Sequence, residues 1–366
     1  MRICFLILNP FDYDTRARLI CSDLINIGWD VEIVATVGGE MPDYLGAKIH
    51  RLSQPVKPFR QQRFISYNLA AADLVSRIDC DVIHAVDLDT LWAATTASKH
   101  NSARVLYEAR ELYVELLSLY KRPLMKAFWK YLERRVIGKA DIVVTINHSI
   151  AEELEKRYGI KRPDVVMNVA KAEKIQPIDL RRTFQLNNRF IIIYQGQLRP
   201  GQGVLRALRA ISEIDDCGLV IFGDGEYRGE IEKYVSDLRL GSRVKLAGMI
   251  PPDMLASHTA GGDAGLLLME DLAINNYLAL PQKLFQYIEA GLPPIVTNLP
   301  ELRTIVEADD LGLVMELAES DEDSKILKDF LENKLANAKQ NCKRIEGKYS
   351  WQKEGGKLLN IYKGLV

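Results

Sequence analysis

Paired cysteines are missing from this chain. Cys4, Cys21, Cys80, Cys217 and Cys342 are odd in number, widely spaced and mostly set in apolar runs, and no Cys-x-x-Cys occurs. A disulfide framework is therefore not expected, and the five scattered histidines give no zinc-ligand spacing either. A reducing cytosol suits such usage. An excess of one charge is also absent: 48 basic and 49 acidic residues leave a net charge of −1, so no general field draws nucleic acid. No apolar run approaches the roughly 18 residues of a membrane span. Ile3 to Leu8, after Met1-Arg2, is too short and too soon interrupted for a signal peptide. Exact repeats and low-complexity tracts are lacking, which excludes a solenoid. The expectation is a soluble cytoplasmic protein of 366 residues, a length that suggests two domains, each with its own core.

What is present is a rhythm of short apolar strands and helices. Ile3 to Leu8, Val31 to Thr36, Val82 to Ala85, Val105 to Tyr107 and Ile142 to Ile146 are β-rich runs, with a helix pattern from Thr15 to Ile27 closed by Gly28. Phe190 to Tyr194, Leu219 to Phe222, Val244 to Leu246, Gly265 to Leu268 and Pro294 to Thr297 repeat the rhythm in the second half. Such alternation predicts α/β domains with parallel sheets covered on both faces. Val169 to Asn188 is polar and aperiodic, and is the expected hinge. Tyr349 to Leu365 reads as a terminal helix with Trp351, Leu358, Leu359 and Tyr362 on its apolar side.

Residues 275 to 301 carry the strongest local signal. Pro281 suits the first turn of a helix, and Leu284, Tyr287, Ile288 and Gly291 then share one face, with Lys283, Gln286 and Ala290 beside it. A helix start with a lysine nearby is an anion site, because its first N–H groups have no internal partner. Tyr194-Gln195-Gly196-Gln197-Leu198-Arg199-Pro200-Gly201-Gln202-Gly203 is a glycine-rich turn between strand and helix, of the kind that lets backbone N–H groups approach a phosphate. Phe222-Gly223-Asp224-Gly225-Glu226 ends the following strand, and Val244-x-Leu246-x-Gly248 the one after it. Turn-making alone explains these glycines as well as ligand binding does.

Pro281-x-Lys283-Leu284-Phe285-x-Tyr287-Ile288-x-Ala290-Gly291-Leu292-Pro293 resembles the sugar-nucleotide motif of the retaining GT-B glycosyltransferases, family 4, the glycosyl transferases group 1. The resemblance extends over nearly the whole chain. It implies a GT-B fold, with two Rossmann-like parallel-sheet domains facing each other across a cleft and a C-terminal helix crossing back to the first. The expected divisions are an acceptor-side domain at 1–170, a nucleotide-sugar domain at 171–345 and the terminal helix at 346–366. In the family the helix start holds the donor diphosphate and a glutamate on that helix holds the ribose. Here the glutamate is replaced by Gln286, and two loop cations by Gln197 and Gln202. Lys283 and Arg199 are left to balance the diphosphate. Gly196, Gly203, Gly223, Gly225, Gly248, Pro281 and Leu284 complete the donor-binding set that the resemblance implies.

In the first half, Asp14-Thr15-Arg16-x-Arg18 follows the first strand, and Asp14 is read as a helix cap. The resemblance makes Arg16 an acceptor-side candidate. His84-Ala85-Val86-Asp87-Leu88-Asp89-Thr90-Leu91 resembles a family segment in which Val86 would be histidine. Glu108-Ala109-Arg110-Glu111-Leu112-Tyr113 resembles one in which Arg110 would be the histidine nearest the reacting sugar. Asp87 and Glu111 join the acceptor side. Arginine cannot take up a proton, so Arg110 is expected to pin a phosphate or an acidic acceptor.

The implied activity is transfer of a sugar from a nucleotide diphosphate donor to a glycan or lipid-linked acceptor with retained configuration. No cofactor or metal is expected, since Asp87-x-Asp89 opens a helix rather than forming a metal motif. The rival reading is a non-catalytic GT-B protein, a partner subunit or ligand sensor, suggested by the replacements at Val86, Arg110, Gln197, Gln202 and Gln286. A sugar-nucleotide epimerase would need a carboxylate and histidine pair that is not found. Two basic stretches stand apart. Lys48 to Ala72 has five basic residues and no acid, with Phe59 and Phe64, and Lys121 to Lys139 has seven against one glutamate, with Phe128, Trp129 and Tyr131. Each is expected as a solvated helix face with its aromatics in the core, the alternative being peripheral contact with an anionic membrane at the inner face.

Overall fold

Eight short strands of the first half assemble into one sheet. They are β1 (Arg2–Leu6), β2 (Asp30–Thr36), β3 (Asp43–Tyr44), β4 (Ala47–Leu52), β5 (Val82–Val86), β6 (Arg104–Ala109), β7 (Ile142–Thr145) and β8 (Asp164–Val165), in the order β3-β4-β2-β1-β5-β6-β7-β8. All pairings are parallel except β3 with β4. The second half builds a wholly parallel sheet from β9 (Phe190–Gln195), β10 (Cys217–Phe222), β11 (Val244–Gly248), β12 (Ala264–Leu267), β13 (Pro294–Thr297) and β14 (Leu313–Met315), in the order β11-β10-β9-β12-β13-β14. This computed structural model describes residues 1–53, 60–171 and 175–365. Phe59 of the first basic stretch, 172–174 of the expected hinge and Val366 lie outside the described residues.

β9 and β10 are buried along their full length, which is why they read as unbroken apolar runs rather than alternating ones. Helix Val204–Ser212 lays Val204, Ala207, Leu208 and Ile211 on this sheet beside Ile192, Leu219 and Ile221. Full burial of such a side chain contributes about 1.5–3 kcal/mol. Four strands were not foreseen. β3 and β8 have two residues each, β14 only three, and β4 alternates buried and exposed positions. Three of them lie at sheet edges, where one-sided pairing does not require a continuous apolar run. The five cysteines are buried and unpaired.

The chain divides into a unit of Met1–Asn168 with Glu354–Val366, and a unit of Val169–Lys353. The boundary expected at 345/346 thus falls at 353/354. Trp351 opens the last helix (Trp351–Lys363), but its N–H donates to the carbonyl of Ala170 in the second unit at 3.0 Å. From Glu354 onward the helix belongs to the first unit. The Glu354 carboxylate accepts from the Met167 N–H at 2.8 Å, and the Tyr362 hydroxyl sits 2.5 Å from Nδ1 of the buried His84.

Candidate functional site

The helix at Gln282–Glu289 buries Leu284, Phe285, Tyr287 and Ile288. The Tyr287 hydroxyl donates to the Leu266 carbonyl and accepts from the Gln195 N–H, each at 3.1 Å, fastening the helix to β12 and β9. Pro281 does not form the first helical turn. It stands just before it with extended backbone (φ −75°, ψ 144°), as the residue that caps the helix. Gly291 closes the element at φ 72°. Lys283 is held in the second position of a helix whose opposite side is locked into the core.

Three loops at the carboxyl ends of β9, β10 and β11 meet this helix start. The Gly196 N–H donates to the Phe222 carbonyl at 2.9 Å, and the Gly223 N–H to the Gly248 carbonyl at 2.8 Å. Gly223 lies at φ 148°, where a Cβ would stand 1.8 Å from the Gly196 oxygen. No other residue fits there. Gly203 (φ 68°) is confined in the same way, since a Cβ there would stand 1.9 Å from the Leu268 carbonyl oxygen.

Between these loops and the helix lies a cavity of about 670 Å³. The expected residues Gly196, Gln197, Arg199, Gln202, Gly223, Pro281, Lys283 and Gln286 all line it. Gln195, Phe222, Asp224, Met249, Ile250, Leu255 and Gln282 line it too and were not assigned to the site from the sequence. Gln195, Phe222 and Asp224 sat inside the motifs that pointed here. Leu255 lies on helix Pro252–Ala260, which had no site signal of its own. Four expected donor residues do not line it. Leu284 is fully buried because helical spacing turns it inward. Gly203 packs on Leu268, a Cβ on Gly225 would strike the Leu198 carbonyl, and Gly248 contributes the carbonyl that holds Gly223. These residues shape the site and do not face it.

Among the described residues lining the cavity, two are cations, Arg199 and Lys283, and one, Asp224, is acidic. Arg199 is exposed in the glycine-rich loop. Lys283 is half-buried, its Nζ donating to Oε1 of Gln202 at 2.8 Å and lying 4.9 Å from the centroid of the Tyr194 ring. Burial, reinforced by the positive charge of Arg199, lowers Lys283 to about 7. The Asp224 carboxylate accepts from the Gly225 N–H at 2.8 Å. The glutamines are organised. Buried Gln195 donates through Nε2 to Oε1 of Gln286 at 2.5 Å, and its own Oε1 accepts from the Thr259 hydroxyl at 2.5 Å. Met249, Ile250, Leu255 and Phe222 form an apolar wall.

The first unit's candidates are committed elsewhere. Asp14 caps helix Thr15–Asn26, accepting from the Ala17 N–H at 2.8 Å. Its other oxygen accepts from Arg110 at 2.7 Å, while Arg110 also donates from Nε and Nη2 to one oxygen of Asp87 at 2.9 and 2.7 Å. Burial opposes the Arg110 charge, yet Asp87 and Asp14 outweigh it and hold the group protonated. The guanidinium expected to pin a phosphate or an acidic acceptor is thus matched by two carboxylates. Asp87 is held at φ 59°, ψ 168°, a strained backbone for any residue but glycine. Arg16, the acceptor-side candidate, is buried. It donates to Glu108 at 3.0 Å and to the carbonyls of Val166 and Met167 at 2.9 and 2.8 Å. Burial would raise Glu108, but Arg16 and His84 draw it far below the usual carboxylate range. Glu111 is exposed just beyond β6. Among the described residues, no cluster of three or more metal-ligating side chains is found, and no helix is long and apolar enough to cross a membrane.

Comparison with known proteins follows the same division. The family described as Glycosyltransferase Family 4 matches residues 15–168, and Glycosyl transferases group 1 matches residues 178–348. Alpha-D-kanosaminyltransferase of Streptomyces kanamyceticus is 21% identical over a match covering 64% of this chain and 63% of that protein. The Escherichia coli UDP-Gal:alpha-D-GlcNAc-diphosphoundecaprenol alpha-1,3-galactosyltransferase is 22% identical, with 94% and 91% covered. Among solved structures, Anabaena HepE in complex with UDP-glucose superposes with a TM-score of 0.75 at 18% identity, covering 100% of both chains.

Proposed function

This chain belongs to the group 1 glycosyltransferases and has their GT-B architecture of two Rossmann-like sheets, and from that premise we propose that it transfers a sugar from a nucleotide diphosphate donor with retention of anomeric configuration. The observation that carries this reading is the placement of Arg199 and Lys283 on one cavity at the carboxyl ends of three parallel strands, the place where ligands of such sheets bind. The apolar wall accepts a nucleobase, and the two cations receive the diphosphate. As the glycosidic bond breaks, charge builds on the leaving phosphate, and cations already in position stabilise it without reorganising. Side-chain cations, rather than a metal ion, are proposed to do this. The leaving phosphate then takes the acceptor's proton, so the cavity's residues need only bind, orient and neutralise.

The acceptor proposed is a glycan or a lipid-linked glycan, supported by the E. coli relative, whose acceptor is a diphosphoundecaprenol-linked sugar. Two of the glutamines that suggested a non-catalytic protein are hydrogen-bonded in the cavity, Gln202 accepting from Lys283 and Gln286 from Gln195, which supports a working site over a decayed one. The test is a thermal-shift screen with UDP-, GDP- and dTDP-hexoses, in which a donor that binds the folded state raises the melting temperature. NMR of the product's anomeric proton then reads the configuration. Inverted configuration, or no response to any nucleotide sugar, would sink the proposal.

A further inference from the structure

Lys283 places an amine beside an anion site without a carboxylate of its own. Among the described residues its Nζ has one hydrogen-bond partner, the neutral amide oxygen of Gln202 at 2.8 Å, and forms no ion pair. The Tyr194 ring covers one side, its centroid 4.9 Å away. Gly196, where a Cβ would already stand 3.6 Å from Nζ, has no side chain to cover another. Burial and the neighbouring charge of Arg199 bring the group to about 7, so near neutral pH roughly half of it carries a free lone pair. A desolvated lysine next to a second cation is a nucleophile of the kind enzymes use. The anion half of the site does not depend on this amine. Pro281 brings no side-chain cap to the helix Gln282–Glu289, which leaves the N–H groups of its first turn to a ligand. Arg199, also without an ion pair among the described residues, lines the same cavity. A phosphate held by these groups presents whatever it carries to the lysine.

We propose that Lys283 is a site of acylation by small acyl phosphates, with Arg199 and the helix N–H groups taking the phosphate while the acyl carbon meets Nζ. The Nζ lone pair adds to the carbonyl carbon and the C–O bond to phosphate breaks. Inorganic phosphate departs with that electron pair, and the surplus ammonium proton passes to water. The product is an uncharged amide. It leaves Arg199 as the cation among the described lining residues, so acylation weakens the hold on a diphosphate and shuts the donor site. An acyl reagent without a phosphate lacks the handle and gains only from the amine's nucleophilicity. The inference rests on the proposed donor site only in placing an anion beside Arg199 and Lys283. Its readout needs no sugar nucleotide, so either reading can fail alone.

The test is incubation of the full chain with acetyl phosphate at neutral pH, read by peptide mass spectrometry. Lys283 should be acetylated about tenfold faster or more than Lys233 and Lys325, which are exposed. Inorganic pyrophosphate should suppress the reaction at Lys283 and leave the other two unchanged. The modified protein should bind pyrophosphate about tenfold more weakly or worse. Arg199→Ala, with an unchanged melting temperature, should slow acetylation of Lys283 by acetyl phosphate about tenfold, and slow its acetylation by acetic anhydride, which carries no phosphate, far less. Equal rates at the three lysines would overturn the proposal. Indifference to pyrophosphate, or the same slowing with both reagents, would overturn guidance by the phosphate. Undiminished pyrophosphate binding after acetylation would overturn the closing of the site. Selective, pyrophosphate-sensitive acetylation supports the proposal even if no nucleoside diphosphate binds, and nucleotide binding without it overturns the proposal alone.

Discussion

The two sheets end in loops of opposite electrostatic character. Beyond β9, β10 and β11, Arg199 and Lys283 line an open cavity whose other polar side chains are amides and one acid. Beyond β5 and β6, Arg110 is clasped by Asp14 and Asp87, and Arg16 is buried against Glu108. Both loop sets hang on parallel strands and both carry arginines near strand ends, so position alone does not make a cation available. Availability depends on the carboxylates that neighbouring strands deliver. In the first unit they consume the positive charge and stiffen the structure. In the second, Arg199 and Lys283 have no carboxylate ion pair among the described residues, Lys283 is lowered by burial, and both are available to an anion.

The largest effect that tests this contrast belongs to the first unit. Glu108→Ala leaves Arg16 buried without its carboxylate, and unpairing a buried charge costs about 3–5 kcal/mol. Urea denaturation should show that loss, with nucleotide affinity of the folded fraction unchanged. A loss below about 1 kcal/mol, the level of an exposed pair, would mean the arginine is not committed as described. Next in size, Lys283→Ala and Arg199→Ala should each weaken nucleoside diphosphate binding about 10- to 100-fold, as expected for a charged hydrogen bond of about 1.5–3 kcal/mol. Their urea midpoints should stay near wild type, because neither side chain is part of the core.

The fold was largely legible because ten strands are fully or mostly apolar runs at α/β spacing. β3, β4, β8 and β14 were not, being short or alternating pieces at or near sheet edges. The helix at Gln282–Glu289 could be read from Pro281, its apolar spacing and Gly291. Most lining residues could be read from the glycine turns that bring them together. What no motif disclosed was partnership. The pairing of Arg110 with Asp14 spans 96 positions and that of Arg16 with Glu108 spans 92, and the period of one element cannot report on them. Leu255 and Thr259 likewise approach the site from a helix with no distinguishing pattern. The basic stretch at 121–139 gave its charge in the sequence, whereas the split between buried Trp129 and bare Phe128 and Tyr131 required the helix's orientation.

A smaller effect follows from pH. Lys283, at about 7 in the free protein, should be held protonated by a bound diphosphate. Affinity should then fall as pH rises through 7, by at most about tenfold per pH unit. Stability of the free protein responds in the opposite sense. The folded lysine binds fewer protons than the unfolded one between about 7 and its ordinary value of 10.5, so its contribution becomes more favourable as pH rises across that window. The ligand-induced thermal shift should shrink toward alkaline pH in wild type and not in Lys283→Met. The smallest effect is expected for Gln202→Ala. It removes the acceptor of the Lys283 ammonium and should weaken binding by a few-fold, the worth of about 0.5–1.5 kcal/mol for one hydrogen bond.

Calorimetric titration of the full chain with UDP, GDP, ADP, CDP and dTDP addresses the contrast between the units most directly. At least one diphosphate should bind the wild type, lose measurable binding in the Arg199→Ala, Lys283→Ala double variant, and bind Arg110→Ala as it does the wild type. Undiminished binding in the double variant, a comparable loss in Arg110→Ala, or no binding of any diphosphate to the wild type would contradict a donor site built on the free cations of the second unit.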